Sequence, residues 1–217
     1  MTDDADDADE PTPDAPAEVT VRPYDPARDA AGLWACKRGF EEGLGTGTGD
    51  DQKAATYAAK LTPDYRDRWL DWVDRCVAED GRCVTVAVDA DVDPEPEPKS
   101  KSEPESDADT DATTTPTRDA VPAEPEPGHV VGYAFVLPER MAYVWDAAVL
   151  NEIFVVPAAR GTGVADDLMD AAVALARDQT LPLDRLVLDV DRENDRAKAF
   201  YERHGFAHWG EMVARDL

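Results

Sequence analysis

Ile153-Phe154-Val155-Val156-Pro157-Ala158-Ala159-Arg160-Gly161-Thr162-Gly163-Val164-Ala165 reads as a strand, a turn and the start of a helix. The apolar run Ile153–Val156 suits a buried strand. Pro157 stops the strand ladder because it has no N–H to donate. Two glycines, an arginine and small residues then lead into a helical pattern from Val164. Such a turn gathers free backbone N–H groups at the positive end of a helix dipole, a setting that suits phosphate oxygens. Arg160 adds a charged fork. An ordinary strand-to-helix turn would show much of the same pattern. The spacing fits neither G-x-G-x-x-G nor G-x-x-x-x-G-K-[ST].

A second stretch follows the short apolar run Leu186–Val190. It is Asn194-Asp195-Arg196-Ala197-Lys198-Ala199-Phe200-Tyr201-Glu202-Arg203-His204-Gly205-Phe206. Asn194 and Tyr201 share one face of a helix, two turns apart, with Ala197 between them. Phe200 projects toward a sheet, and Gly205 is a helix stop of the left-handed kind. Arg160-x-x-Gly163-x-Ala165, taken with N-x-x-A-x-x-F-Y-x-x-x-G-F, resembles the GCN5-related N-acetyltransferase (GNAT) family. The resemblance runs from about Val19 to Leu217, apart from one insertion.

The fold this implies is α/β (α+β): a central mixed, mostly antiparallel sheet flanked by helices, with splayed central strands. The resemblance also implies the chemistry, transfer of an acetyl group from acetyl-coenzyme A, the cosubstrate, to a primary amine by direct attack. Residues Phe154, Val155 and Val156 would meet the pantetheine arm through their main chain. Arg160, Gly161, Thr162, Gly163, Val164 and Ala165 would take the pyrophosphate, and Asn194 would lie near the coenzyme. Tyr201 matches the position that protonates the departing sulfur, and an ordinary phenol, with a pKa near ~10, is protonated at neutral pH. The plainer role for Tyr201 is packing. Glu152 is the candidate base, since a carboxylate within an apolar strand is costly unless it lines a cavity. The plainer reading is a solvated carboxylate at a bulge. A noncatalytic acetyl-coenzyme A-binding or regulatory domain is the alternative function.

Composition sets the surroundings. The chain has 48 Asp plus Glu against 22 Lys plus Arg, for a net charge of −26. Residues 1–18 hold eight acids and no base, and residues 89–127 hold thirteen acids and three bases. Both stretches are poor in large apolar residues, so they are expected to be disordered. The domain reading is therefore an acidic tail at 1–18 and one domain over 19–217, interrupted by the insertion at 89–127. An acid excess with few lysines points to a salt-rich, halophilic cytoplasm. It also disfavours nucleic acid and anionic membrane as partners. A small-molecule or protein amine is the expected partner, and both monomer and homodimer stay open. Cys36, Cys76 and Cys83 show no metal-ligand spacing and read as buried thiols in a reducing compartment; no metal is expected. Lacking an N-terminal apolar run or a spanning stretch, the chain reads as cytoplasmic.

Along the chain, Val19–Tyr24 alternates as a first strand, and a helix from Pro26 is expected to break at Gly43–Gly49. Helical spacing resumes from Asp51 to Glu79 with an interruption near Pro63. Cys83–Val88 and Val130–Leu137 are expected to pair as a hairpin around the insertion. Ala147–Val156 is the central strand, Val164–Asp178 a helix, and Met212 and Val213 part of a last strand. The resemblance puts the acceptor pocket near residues 40–57 and 138–146, where Glu41, Glu42, Asp50 and Asp51 are placed to attract a cation. Asp189 and Asp191 are further lining candidates. His204 reads as a helix-end residue, while His129 and His208 get no role.

Overall fold

A computed structural model describes residues 19–46, 51–89, 130–213 and 215. The acidic tail, most of the insertion, Asp50 and His129 lie outside the described residues.

Thr62-Pro63-Asp64 shows how locally the elements are specified. The Thr62 hydroxyl accepts from the Tyr65 N–H, and Pro63 fills the first helical position, so helix α3 (Pro63–Glu79) starts there. Trp69, Val73 and Cys76 then recur on its buried face. Before it come strand β1 (Val19–Pro23), helix α1 (Pro26–Thr46) and helix α2 (Asp51–Ala59). α1 is fixed at its start by Asp29, which accepts from the Asp25 N–H and from both arms of Arg22. It runs through Gly43 and ends at Thr46, within the stretch Gly43–Gly49 expected to break it. A helical glycine costs about 1 kcal/mol, and the ion pairs of the preceding turn, described below, offset it.

β2 (Val84–Asp89) and β3 (Val130–Val136) form the expected antiparallel hairpin, with the insertion between them. After the short helix α4 (Glu139–Ala142), β4 (Ala148–Val155) returns antiparallel to β3. Helix α5 (Val164–Asp178), strand β5 (Leu186–Val187) and helix α6 (Asp195–Arg203) complete the order. The sheet is β1-β2-β3-β4-β5, antiparallel except for β4 and β5. Helices α1 and α3 cover one face: Phe154 meets Gly39, and Trp72 packs tilted against Phe135 with ring centroids 4.9 Å apart. The other face carries α5, whose Leu168, Met169, Ala172 and Leu175 are buried.

Gly132 on β3 lies against β4 and α5. A Cβ there would stand 2.9 Å from the Phe154 carbonyl oxygen and 3.2 Å from Leu168 Cδ1. The first neighbour is backbone and cannot swing aside. Gly132→Ala is therefore expected to destabilise the fold by about 1–3 kcal/mol, read as a lower urea midpoint. An unchanged midpoint would refute the close approach.

Two expected strands are corrected. Only Leu186 and Val187 of the run to Val190 pair with β4. Residues 206–213 form no strand, and Met212 and Val213 are 66% and 95% exposed. A two-residue ladder offers too few hydrogen bonds to template another strand. The three cysteines are buried free thiols, as expected.

Candidate active site

The ladder between β4 and β5 joins Ala148 to Leu186 and Val149 to Val187, and then stops. Beyond Val149 the two strands part, leaving one edge of β4 open. Register decides what that edge offers. Val155 lies opposite Gly132, and the Val156 N–H donates to the Val131 carbonyl at 2.9 Å. Antiparallel alternation then turns the main chain of Phe154 and Val156 toward β3 and that of Ile153 and Val155 toward the open edge. Of the three residues expected to meet the coenzyme arm with their main chain, Val155 alone has that orientation. Its carbonyl accepts from Arg160 Nε at 3.0 Å.

The loop after β4 makes a 3₁₀ turn over Pro157–Ala159 and enters α5 through Gly161 (φ 84°) and Gly163 (φ 95°). Only glycine takes such φ values freely. Gly163 is the N-cap and no side chain caps the helix. Its carbonyl accepts from the N–H groups of Asp166 and Asp167, while the earlier N–H groups of the helix have no place in the intrahelical ladder. The Thr162 hydroxyl is turned back to the Ala159 carbonyl at 2.8 Å. Burial and the neighbouring Arg196 pull the Arg160 pKa below its usual value. The two guanidinium charges repel one another, and an anion near Arg160 would relieve that repulsion. Arg196 was missed in the sequence. Its cue was a cation in the first turn of a helix, where the dipole opposes it.

α6 supplies the other wall. Asn194 caps it, accepting from the Ala197 N–H at 3.0 Å, so its oxygen is engaged and its amide NH₂ is left to donate. Gly205 (φ 83°) ends the helix as expected, with the Phe206 N–H returning to the Tyr201 carbonyl. Tyr201 is half-buried between Phe200 and Phe206, with ring centroids 5.5 and 5.7 Å away. Burial, then the charge of Asp189, push its phenol up to about 12. His204 bonds Asp166 at 2.8 Å and ties the end of α6 to the start of α5, which is a structural task.

Glu152 is neither solvated nor at an open surface. It is 7% exposed, and both oxygens are engaged. Oε1 meets Lys37 Nζ at 2.6 Å and Asn151 Nδ2 at 3.1 Å, and Oε2 accepts from the Tyr133 hydroxyl at 2.6 Å. Burial, then the Glu152 charge, hold the Tyr133 phenol far above its usual pKa, so it remains a donor. Lys37 also pairs with Glu41 at 2.6 Å, and Glu41 with Lys60 at 2.8 Å. Glu41 is thus consumed by internal pairs instead of standing free to attract a cation. Lys37, Lys60 and Tyr133 were not singled out from the sequence.

A mostly antiparallel sheet flanked by helices, with β4 open along one edge beyond β5 and a glycine turn into an uncapped helix, defines the class of mixed α/β fold. The chain belongs to the acetyltransferase (GNAT) family, whose family model matches residues 84–206. It is 43% identical over 74 residues to a mycothiol acetyltransferase of Salinispora tropica, covering 33% of this chain and 24% of that one. A second mycothiol acetyltransferase, from Salinispora arenicola, is 42% identical over 67 residues, 30% of this chain and 22% of that one. The matches thus span about a quarter of the length of these curated relatives. Among solved structures, a PaiA N-acetyltransferase of Thermoplasma acidophilum in complex with coenzyme A superposes with a TM-score of 0.55. The two are 13% identical, and the superposition covers 88% of this chain and 90% of that one. A Pyrococcus horikoshii protein, PH1933, gives 0.53 at 14% identity, covering 90% and 93%. At such identities these structures show the shared fold. Among the described residues, no helix is long and apolar enough to cross a membrane.

Proposed function

We propose that this protein is an acetyl-coenzyme A-dependent N-acetyltransferase acting on a primary amine. Membership of the acetyltransferase family supports acetyl transfer in general, and the coenzyme A bound in the Thermoplasma relative supports the donor. The observation that carries the reading is the turn itself: Gly161 and Gly163, both at positive φ, lead from Arg160 into a helix start that no side chain caps. That is a receptor for a diphosphate. The arm of the donor would then run along the open edge of β4, meeting Val155, and bring its thioester toward Tyr201.

The amine attacks the thioester carbonyl, a tetrahedral oxyanion forms, and the C–S bond breaks as the thiolate leaves. The Tyr201 hydroxyl donates to that sulfur. Glu152 is retained as a candidate for the base, but its geometry favours another task. A carboxylate has about four lone-pair sites, and Lys37, Asn151 and Tyr133 occupy three of them. We therefore read Glu152 as the counter-ion that positions β4 against α1, with the amine arriving neutral from solution.

The test is calorimetric titration of acetyl-coenzyme A into the full chain in molar potassium chloride, beside Gly163→Ala. An alanine relaxes out of φ 95°, which moves the loop N–H groups off their target; a loss of roughly tenfold in affinity is expected. Thiol release is then followed over a panel of primary amines. No binding by a folded native chain would refute the reading. Tight binding with no amine-dependent thiol release would favour a noncatalytic coenzyme-binding domain.

A further inference from the structure

The chain holds 48 Asp plus Glu, yet among the described residues no carboxylate pairs with Arg160. Its charged neighbour is another cation, Arg196. The Arg160 side chain instead folds back on the strand it follows. Nε donates to the Val155 carbonyl at 3.0 Å, and the guanidinium lies 5.9 Å from the centroid of the Phe154 ring. That carbonyl faces the open edge of β4, where β5 has already parted from the strand. Arg160 therefore occupies the main-chain acceptor that Val155 presents there.

The contact is releasable. Arg160 is exposed, and backbone bonds close the turn that carries it, Ala159 N–H to the Val156 carbonyl and Arg160 N–H to the Pro157 carbonyl. The side chain can leave without opening that turn. Magnitudes decide what displaces it. A charged donor makes a hydrogen bond roughly twice as strong as a neutral one. A neutral amide N–H arriving alone at Val155 must therefore displace the stronger donor. A guanidinium prefers a phosphate to a carbonyl, because both partners are then charged and its planar fork bonds two oxygens.

We propose that Arg160 makes the chain selective for thioesters that carry a diphosphate: its side chain holds the Val155 carbonyl until a diphosphate at the start of α5 draws it away. The diphosphate and the arm then bind cooperatively, because one uncovers the acceptor that the other needs. A thioester on a bare pantetheine arm meets an occupied carbonyl and is disfavoured. This selection between donors rests on the coenzyme reading above.

The experiment splits the coenzyme. ADP supplies the diphosphate and pantetheine the arm. Each is titrated by ligand-observed NMR, at constant ionic strength, into the native chain and Arg160→Met. Circular dichroism melts confirm that both are folded. ADP should bind the variant about tenfold more weakly, the worth of a hydrogen bond to a charged group. Pantetheine should bind the variant about fivefold more tightly, since nothing covers the Val155 carbonyl. Saturating ADP should tighten pantetheine binding to the native chain by a similar factor and leave the variant unchanged. Pantetheine should tighten ADP binding reciprocally. Pantetheine binding that is weaker in the variant, equal in the two chains or absent from both overturns the proposal. The weaker case would mean that Arg160 keeps Val155 and the diphosphate at once. Coenzyme A is titrated alongside. Its failure to bind the folded native chain overturns the coenzyme reading, whereas coenzyme A binding without the opposed fragment effects overturns the selection alone.

Discussion

Lys37→Met is expected to lower the unfolding free energy by about 3–5 kcal/mol, the cost of breaking a buried pair by removing one partner. Lys37 is 3% exposed and meets two carboxylates at 2.6 Å, Glu152 at 7% and Glu41 at 2% exposure. Methionine fills the space of the stem but leaves both anions in the interior with one cation fewer. The pH dependence distinguishes this loss from a packing defect. In the native chain, burial works to raise the Glu41 pKa, but Lys37 and Lys60 outweigh it and hold the group below its usual range. The Glu41 contribution is therefore present above the ordinary glutamate pKa of ~4.3 and lost as pH falls through the lower folded value. Burial likewise works to lower the Lys37 pKa and is outweighed by Glu152 and Glu41, so the pKa is raised. That contribution is present below ~10.4 and is lost as pH rises through the folded value. In the variant burial outweighs the one cation left beside Glu41, Lys60, so that group takes up protons more readily than in the unfolded chain. Its stability should rise as pH is lowered from 8 to 5, where native stability stays level or falls. Urea midpoints for both proteins across that range are the measurement. A variant within 1 kcal/mol of native at pH 7, with the same pH slope, would show these buried pairs to be energetically idle.

Those pairs also mark where the sequence stops being readable. α5 was legible from Val164 to Asp178 because glycines, a proline and apolar spacing all agree on its start and its face. The end of α6 at Gly205 was legible for the same reason. Lys37 and Glu41 were not, since an i,i+4 pair of opposite charges has the spacing of an exposed helix face. Their burial depends on Glu152, more than a hundred positions away in the chain. The cost of a carboxylate in an apolar strand was visible; the identity of its partners was not. The choice of Val155 over Phe154 for the open edge depends on pairing with Gly132, and the register of β3 shifts between Phe135 and Val136. Strand existence can be read from alternation, but orientation at a bulge cannot. Met212 and Val213 form a short apolar pair of the kind a strand contains, yet a strand needs a partner edge, and β5 is too short to supply one.

Tyr201→Phe is expected to lower turnover by about 100-fold, the lower end of the range for losing one donor to a developing charge. Coenzyme affinity should change by no more than about threefold, because the ring that packs against Phe200 and Phe206 is kept. The raised phenol decides the form of the catalysis. At about 12, Tyr201 is protonated throughout the working range. An ordinary thiol has a pKa near ~8.5, so complete transfer of the phenolic proton to the departing sulfur runs uphill by more than three pKa units. Tyr201 therefore acts by donating a hydrogen bond to the thiolate as it forms. The net proton comes from the attacking nitrogen, which becomes a strong acid once it bonds to carbon. With the phenol protonated up to about 12, its own titration lies above the working range in either role. The variant should thus show the native profile scaled down at every pH, set by the acceptor amine. A shift of the alkaline limb in Tyr201→Phe would show that the Tyr201 phenol titrates within the working range. Unchanged turnover would remove it from the chemistry and leave it as packing between α6 and the sheet.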